Sequence, residues 1–147
     1  MTLQDQVILA LTIWRENRGG GAIGMQSVAN VIMNRAAKQN VSVWAICTQP
    51  LQFSSITTKG DPELNLWPKE GDVSFAKALE IADMANEGDL TDLTRGATLY
   101  YAPHGYHADQ TFKLPDTGEV IPFPDHWDES KVQYLCTIEY QVFFKEL

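Results

Sequence analysis

The chain has 147 residues, of which 44% are hydrophobic and 20% are charged, so its composition is that of a folded globular protein and not of a disordered segment. Its formal net charge of −8, without a basic stripe, argues against binding to nucleic acid or to an anionic membrane surface. No apolar run is long enough to span a bilayer, so stable membrane insertion is not expected. The length suits one domain with a hydrophobic core, over residues 1–147.

The first predicted element is a helix that ends at about Asn17. Thr2, followed three residues later by Asp5, is typical of a capping box at a helix start. The glycines at 19–21 end the helix. At about 100° per residue, its apolar residues fall on two nearly opposite sides, which predicts a helix inside the core. One side carries Leu3, Val7, Ala10, Leu11 and Trp14, and the other carries Leu9, Thr12, Ile13 and Glu16.

Glu16 is a candidate general acid because it lies in the last turn of this predicted core helix. Burial disfavours the charged carboxylate and raises its pKa. A carboxylic acid that keeps its proton near neutral pH can donate that proton to a leaving group. The alternative is a structural Glu at a fraying helix end, paired with Arg15 or Arg18. Periodicity alone does not decide between the two.

Three further helices are predicted before residue 88. Helical spacing of small and apolar residues predicts one over residues 25–37, which Gln39-Asn40 ends. Ser42 caps a short helix over residues 43–48, and Asp72 caps a helix that reaches about residue 87. The inward-facing residues expected in this last helix are Phe75, Ala78, Leu79, Ala82 and Ala85.

The sequence after Gly88 predicts strands. Residues 97–102 form one strand, and residues 111–114 and 120–123 flank a turn-rich segment that is a good hairpin signal. Residues 134–145 are the most β-like run, rich in aromatic and β-branched side chains. Helices first and strands later predict an α+β fold.

The stretch from Pro50 to Lys59 is predicted to be irregular, and the loop over residues 61–71 to be anchored by Trp67. Within the first of these lie Gln52, Phe53 and Ser54. Polar groups beside an aromatic ring are a common way to hold a sugar amide or hydroxyl. The alternative is loop capping by the serine and packing by the phenylalanine.

Two adjacent tyrosines, Tyr100 and Tyr101, lie in the first predicted strand. Adjacent strand residues face opposite sides, so one ring can pack in the core while the other lines a cleft, and Thr98 shares a face with Tyr100. Tyrosine suits sugar binding because its ring stacks and its hydroxyl donates or accepts a hydrogen bond. A cross-strand aromatic pair is the alternative.

The three histidines, His104, His107 and His126, fit no tight metal-binding spacing. Solvated loop histidines are the preferred interpretation, and no metal or cofactor is expected. Cys47 and Cys136 lie far apart, and the sequence allows either a disulfide or two free thiols.

Most glycosidases need two carboxylates, and no second one stands out beside Glu16. A single carboxyl group that acts as acid and then as base is enough when the sugar supplies its own nucleophile. In peptidoglycan the C6 hydroxyl of N-acetylmuramic acid can attack its own C1, while one Glu protonates the leaving oxygen and takes the proton of that hydroxyl.

Several segments, in order along the chain, resemble the SleB-type cell wall hydrolases, the family of the spore-cortex-lytic enzyme catalytic domain. The opening motif of this family is similar to residues 10–19, ALTIWRENRG. Its second helix is similar to residues 27–35, SVANVIMNR. Residues 49–54, QPLQFS, resemble its loop, and residues 96–101, GATLYY, its strand. Trp127 and the closing apolar run are also similar, so the resemblance covers nearly the whole chain.

This resemblance implies a lysozyme-like α+β fold with a helical core and a small antiparallel β region. It implies cleavage of the bond between N-acetylmuramic acid and N-acetylglucosamine by lytic transglycosylation, with plain hydrolysis left open. The essential Glu of the family falls on Glu16. The substrate-binding positions implied are Gln52, Phe53, Ser54, Thr98, Tyr100 and Tyr101.

No basic segment or cleavage site precedes the apolar run near the start, so no signal peptide is expected. We therefore expect a monomer that is made in the cytoplasm and acts on peptidoglycan strands after release by a holin-like partner, as in a phage lysis enzyme. The alternatives are a metal-dependent wall amidase or peptidase that uses His104, His107 and His126, and a glycan-binding module without catalysis.

Overall fold

All the α-helices of the described residues precede residue 94, and all the strands follow it. The computed structural model describes residues 1–50 and 52–147, so Leu51, part of the predicted irregular stretch, lies outside the described residues. Residues 1–93 and residues 94–147 form two units, here called the helical unit and the strand unit. The order of elements confirms the predicted α+β class, whereas one catalytic domain over residues 1–147 stays a prediction.

The described residues of the helical unit form five α-helices, and α1 lies at the centre of their contacts. Helix α1 packs against α2, α3 and α5. The helices are α1 (Leu3–Asn17), α2 (Gly21–Gln39), α3 (Val43–Cys47), α4 (Ser54–Thr57) and α5 (Val73–Glu87), with 3-10 turns at Arg18–Gly20 and Pro62–Asn65.

Helix α1 is a core helix, as its periodicity predicts. The capping box between Thr2 and Asp5 is present in both directions, and every side chain from Ile8 to Arg15 is buried. The predicted burial of Leu3 and Val7 is wrong, since Leu3 is 74% exposed. In this first turn α1 contacts α3 through Asp5, whose carboxylate accepts from the N–H of Trp44 at 2.9 Å. The two exposed residues lie on the side of the helix opposite Asp5 and therefore face solvent.

Helix α2 begins at Gly21, four residues before the predicted start at Met25. Gly24 lies inside the helix despite the low helix propensity of glycine. A Cβ atom built on Gly24 would lie 2.7 Å from Nδ2 of the buried Asn17 side chain, and one on Gly20 would lie 2.7 Å from its Oδ1. These glycines therefore make room for the last residue of α1, and this packing outweighs their propensity.

The segment between α3 and α5 is more ordered than its composition indicates. Helix α4 occupies part of the predicted irregular stretch. The prediction that Trp67 anchors the following loop is wrong, because its side chain is 67% exposed. Helix α5 begins after the Asp72 cap as predicted, but Leu79 faces solvent and Ile81 is buried in its place. Ala78, Ala82 and Ala85 are buried as predicted, so the inward side of α5 is the predicted one except at Leu79.

The strand unit consists of a three-stranded antiparallel sheet in the order β1-β5-β4 and a separate antiparallel hairpin of β2 and β3. The β2–β3 hairpin is the predicted one. The predicted strand over residues 134–145 is instead two strands, because Glu139 adopts a left-handed φ of 54° and turns the chain. The strands are β1 (Leu99–Tyr101), β2 (Gln110–Lys113), β3 (Val120–Phe123), β4 (Val132–Ile138) and β5 (Gln141–Glu146).

An aromatic cluster around Phe144 forms the core of the strand unit. Phe144 of β5 contacts rings from the sheet, from both strands of the hairpin and from the loop before β4. Ring centroids are 5.3 to 6.1 Å from that of Phe144, in edge-on and stacked arrangements that favour aromatic packing. The rings around Phe144 are those of Tyr101, Phe112, Phe123, Trp127 and Tyr134.

Both cysteines are free thiols, which decides the alternative that the sequence left open. Cys47 is fully buried in the helical unit, and burial raises the pKa of its thiol to about 12.

Within the described residues, no helix combines the length and the apolar character needed to cross a membrane.

The close approach of Asn17 to Gly24 predicts a specific stability effect. We expect Gly24→Ala to lower the free energy of unfolding by about 1–3 kcal/mol, because the new methyl group must displace a buried side chain. In an Asn17→Ala background the same change should cost less. Urea denaturation of the single and double variants measures this coupling.

Gly19→Ala is the matched control, since a Cβ atom at Gly19 meets nothing within 4 Å. It should change the stability by less than about 0.5 kcal/mol. An equal cost of Gly24→Ala with and without the Asn17 side chain would contradict the packing account.

Candidate active site

Arg15, the residue before Glu16, is a buried cation that binds main-chain carbonyls of the 52–67 segment. Its side chain is 6% exposed; Nη1 donates to Ser55 O at 3.0 Å, and Nε donates to Leu66 O at 3.1 Å. The Trp67 ring lies 4.9 Å from its guanidinium carbon. Desolvation lowers the pKa of Arg15, opposed by the charges of Glu63 and Asp61. An arginine remains charged nonetheless, so the carbonyl contacts are needed to keep it inside the protein.

Arg18 forms a second attachment between the end of α1 and the same segment. Its two terminal nitrogens donate to the two carboxylate oxygens of Glu63 at 2.8 and 3.0 Å, the paired geometry that guanidinium and carboxylate groups favour. Its guanidinium carbon also lies 4.3 Å from the Trp14 ring centroid. The hydrogen bond to Glu63 raises the pKa of Arg18 further above the neutral range. The guanidinium groups of Arg15 and Arg18 thus both form hydrogen bonds with the 52–67 segment.

Glu16 lies between these two arginines, in the last turn of α1, and is half-buried. Four other carboxylates of the described residues are not fully exposed, and each has a structural contact. Asp5 closes the α1 capping box and Asp72 caps α5. Asp61 accepts from Ser54 and from the N–H of Glu63, and Glu63 binds Arg18. Glu16 is the fifth carboxylate of the described residues that is not fully exposed, and it lies in the last turn of a buried helix.

The predicted loop residues Gln52, Phe53 and Ser54 have different environments. Gln52 is exposed, and its Oε1 accepts from Nη1 of Arg35 on α2 at 3.0 Å. Phe53 is 1% exposed, so its ring packs inside the protein, with the Arg35 guanidinium 5.8 Å from its centroid. The exposed Ser54 hydroxyl donates to Asp61 Oδ2 at 2.6 Å. This hydrogen bond is the main reason that the pKa of Asp61 is lowered, so Asp61 stays ionised.

The predicted strand residues divide between the two faces of the sheet. Tyr101 is buried in the aromatic cluster, and its hydroxyl donates to Pro122 O at 2.6 Å. Burial raises the pKa of Tyr101 far above its usual value. Tyr100 faces the other way, is half-buried, and stacks on Phe143 of β5 at 5.9 Å. The prediction that the adjacent tyrosines face opposite sides is therefore confirmed.

Thr98, just before β1, is buried and holds the end of β5. Its N–H donates to Phe144 O, and its hydroxyl accepts from the N–H of Glu146 at 3.1 Å. This threonine therefore has a structural contact that the sequence did not predict. The position of Thr98 immediately before a strand could have indicated this contact, because hydroxyl side chains at such positions often form hydrogen bonds with the main chain.

The three histidines are exposed, as the preferred interpretation predicts. Among residues 1–50 and 52–147, no three His, Cys, Asp or Glu side chains lie together as a metal site would require. The alternative of an amidase that uses His104, His107 and His126 therefore has no geometric support in the described part of the chain.

Comparison with known proteins assigns the family. A family model described as Cell Wall Hydrolase matches residues 19–144. The chain belongs to the cell wall hydrolase family. This confirms the resemblance seen in the sequence and the prediction of a cell-wall-degrading enzyme. The matched range begins three residues after Glu16, so the catalytic assignment of Glu16 stays a prediction.

The fold of this cell wall hydrolase is similar to a solved structure of a related enzyme. The catalytic domain of the germination-specific lytic transglycosylase SleB from Bacillus anthracis matches with a TM-score of 0.65 and 22% sequence identity. The match covers 99% of this chain and 97% of that chain. It confirms the predicted fold class. No curated protein matches the chain in sequence.

Sequence reasoning missed the contacts of Arg15, Arg18 and Arg35 in this cell wall hydrolase. One signal was available for Arg15: a cation within a helix that is apolar on both sides must find acceptors inside the protein. The sequence could not indicate which acceptors, because they lie 40 and 51 positions away.

Removal of the Arg15 guanidinium should destabilise the helical unit. We expect Arg15→Met to lower the free energy of unfolding by about 2–4 kcal/mol, because the buried carbonyl of Ser55 and the partly buried carbonyl of Leu66 lose their donor. The activity on purified cell walls should fall as well, at temperatures where the variant is folded, because the segment beside Glu16 loses an attachment. Chemical denaturation and a turbidity assay measure the two effects.

Lys77→Met provides the comparison. Lys77 forms an exposed ion pair with Glu80 on α5 at 2.8 Å, and exposed pairs contribute little stability. Equal stability losses for Arg15→Met and Lys77→Met would show that the buried contacts of Arg15 are not important.

Proposed function

We propose that this cell wall hydrolase cleaves the bond between N-acetylmuramic acid and N-acetylglucosamine, with Glu16 as the general acid and then the general base. The observation that carries the proposal is the position of Glu16: a half-buried carboxylate in the last turn of a core helix, next to arginines that attach this turn to the 52–67 segment. The relative with a similar fold is a lytic transglycosylase, which favours the same reaction here.

The reaction needs one residue that gives and then takes a proton. Glu16 in its acid form donates a proton to the glycosidic oxygen as the bond from that oxygen to C1 of N-acetylmuramic acid breaks. The C6 hydroxyl of the same sugar then attacks C1, and the Glu16 carboxylate accepts its proton. The products are a 1,6-anhydro sugar and a free N-acetylglucosamine end, and Glu16 returns to its acid form.

Fixed neighbours suit this role. Arg15 and Arg18 attach the end of α1 to the 52–67 segment through four hydrogen bonds. Asn17 is buried against Gly20 and Gly24. A catalytic group held by packed neighbours does not have to be ordered when the substrate binds, which lowers the activation barrier.

Gln52 is proposed to bind the substrate through its amide N–H₂ group. A guanidinium has only donors, so the contact with Arg35 fixes Oε1 of Gln52 as the acceptor and leaves Nε2 as a donor. The N-acetyl groups of both wall sugars present carbonyl acceptors for such a donor. Arg35 is thereby a positioning residue that sets the orientation of the Gln52 amide.

The remaining predicted contacts divide into two groups. Ser54 can accept from a sugar hydroxyl, since its own proton is given to Asp61, and the half-buried Tyr100 ring presents a stacking surface. Phe53, Tyr101 and Thr98 are buried, and we assign them to support of the loop and of the sheet. A monomeric state and a holin-like partner stay predictions from the sequence.

The first test is replacement of the proposed acid. Glu16→Gln should lower the rate of wall clearing by about 100-fold or more, because the amide cannot transfer a proton. The measurement is the fall in turbidity of a suspension of purified peptidoglycan. Glu80→Gln, a change of the same kind on the exposed side of α5, should keep the wild-type rate. Wild-type clearing by Glu16→Gln would contradict the catalytic assignment.

Product analysis decides the reaction type. Mass spectrometry of the soluble fragments from the wild-type digest should show 1,6-anhydro ends, which are 18 mass units lighter than the hydrolysed ends. Reducing N-acetylmuramic acid ends in their place would show hydrolysis. Release of free peptides with intact glycan strands would contradict cleavage of the glycosidic bond.

The role of Gln52 predicts an effect on substrate binding. Gln52→Glu keeps an oxygen acceptor for Arg35 but removes the N–H₂ donor, so KM should rise by about 5- to 20-fold while kcat changes less. The measurement is the rate at several concentrations of soluble glycan strands. Gln39→Glu is the matched control, since Oε1 of Gln39 also accepts a side-chain hydrogen bond, from Gln49 at 2.9 Å. Equal KM values for the two variants would contradict the role of Gln52.

A further inference from the structure

The strand unit has a pocket of about 380 Å³ at one end of its three-stranded sheet. This volume lies within the range of pockets that hold small ligands. The aromatic cluster ends here, and one side of the Trp127 ring system remains accessible, since this residue is half-buried. The residues that form the floor and the rim are Leu99, His126, Trp127, Asp128, Lys131 and Val132.

The pocket opens on a different face of the sheet from Tyr100. Leu99 pairs with Phe144, and Val132 pairs with Glu146, which places these side chains on the face that carries the aromatic cluster. Tyr100 pairs with Phe143 on the opposite face. The pocket is therefore separate from the surface on which Tyr100 was predicted to bind sugar.

The rim combines one lysine with carboxylates. Lys131 has no carboxylate within ion-pair distance in the described part of the chain, and the His126 imidazole is exposed beside it. Asp128 uses Oδ1 to accept from the hydroxyl and the N–H of Ser130. The Ser130 hydroxyl is the main cause of the lowered pKa of Asp128, and the charge of Lys131 contributes to it. Oδ2 of Asp128 faces no donor among the described residues. Glu146 supplies a second carboxylate.

Lys131 forms no close ion pair among the described residues, although the chain has a net charge of −8 and carboxylates outnumber cations. Lys131 beside an aromatic ring suits a ligand that carries both a carboxylate and an apolar part. The carboxylates on the rim suit an ammonium or an amide N–H group of the same ligand. An amino-acid chain of mixed charge meets all three requirements, whereas a neutral sugar chain supplies no carboxylate.

We propose that this pocket binds the peptide stem of peptidoglycan, with a stem carboxylate on Lys131 and the stem side chains against Trp127. In the wall of a bacterium the carboxylates are carried by these stems, since the lactyl carboxyl group of N-acetylmuramic acid is in amide linkage to them. The site provides attachment to the wall and takes no part in bond cleavage. This proposal depends on the family assignment and not on the catalytic role of Glu16.

The test uses binding by the full chain in the Glu16→Gln background, so that the wall is not degraded during the measurement. A synthetic stem tetrapeptide with free carboxylates should bind, whereas the same peptide with its carboxylates amidated should bind at least 5-fold more weakly. Binding of the labelled peptides is followed by fluorescence anisotropy at low and high salt. The affinity for the free acid should fall as salt increases.

Lys131→Glu reverses the charge at the rim and should weaken binding of the acidic peptide by 10-fold or more. Lys113→Glu, an exposed lysine on β2, is the matched control and should leave binding unchanged. Trp127→Phe keeps an aromatic ring in the cluster but reduces the stacking surface, and should weaken binding of both peptides. Thermal unfolding confirms that each variant is folded.

Equal binding of the acid and the amide, or equal effects of Lys131→Glu and Lys113→Glu, would overturn the proposal. The cleavage reaction is tested separately. Lys131→Glu with a native Glu16 should cleave glycan strands without peptides at the wild-type rate and clear intact walls more slowly. Loss of cleavage on strands without peptides would place Lys131 in the cleavage reaction and contradict the attachment role.

Discussion

The buried guanidinium of Arg15 is the constraint on which the helical unit depends most. A cation inside a core helix needs acceptors within the protein. Arg15 takes two acceptors from the main chain of the 52–67 segment, whereas its buried Nη2 has no hydrogen-bond partner among the described residues. The contact therefore fixes an otherwise irregular segment against the end of α1. It also orders the residue that immediately precedes Glu16, so one interaction serves both the fold and the candidate active site.

The other neighbours of Glu16 show the same principle. Arg18 is held by Glu63 and lies over Trp14, and Asn17 fills the space that Gly20 and Gly24 leave open. The glycines that end α1 thus have a second role, which is to allow close packing of α2 on the last residue of α1. Such packing restricts the geometry of the neighbouring Glu16, which suits the proposed role of this residue as the proton donor.

The strand unit is built on a different principle. Its core is centred on aromatic rings, with Phe144 in contact with rings from the sheet, the hairpin and the loop before β4, and aliphatic side chains complete it. Strand alternation assigns Tyr101 to this core and Tyr100 to the opposite face. The aromatic core ends at Trp127, where the charged rim around Lys131 begins. One short sheet can thus present two chemically different surfaces to a polymer that contains both sugars and peptides.

The sequence by itself determined the features that depend on neighbouring residues. The capping box, the caps at Ser42 and Asp72, the β2–β3 hairpin and the position of Glu16 in the last turn of α1 all follow from interactions a few positions apart. Tertiary structure decided the exposure of Leu3, the split of the last strand and the contacts of the arginines. Arg18 and Glu63 are 45 positions apart, and Arg35 and Gln52 are 17 apart. Periodicity gives the direction of a side chain around its own helix, but only the packed chain determines which distant group lies in that direction.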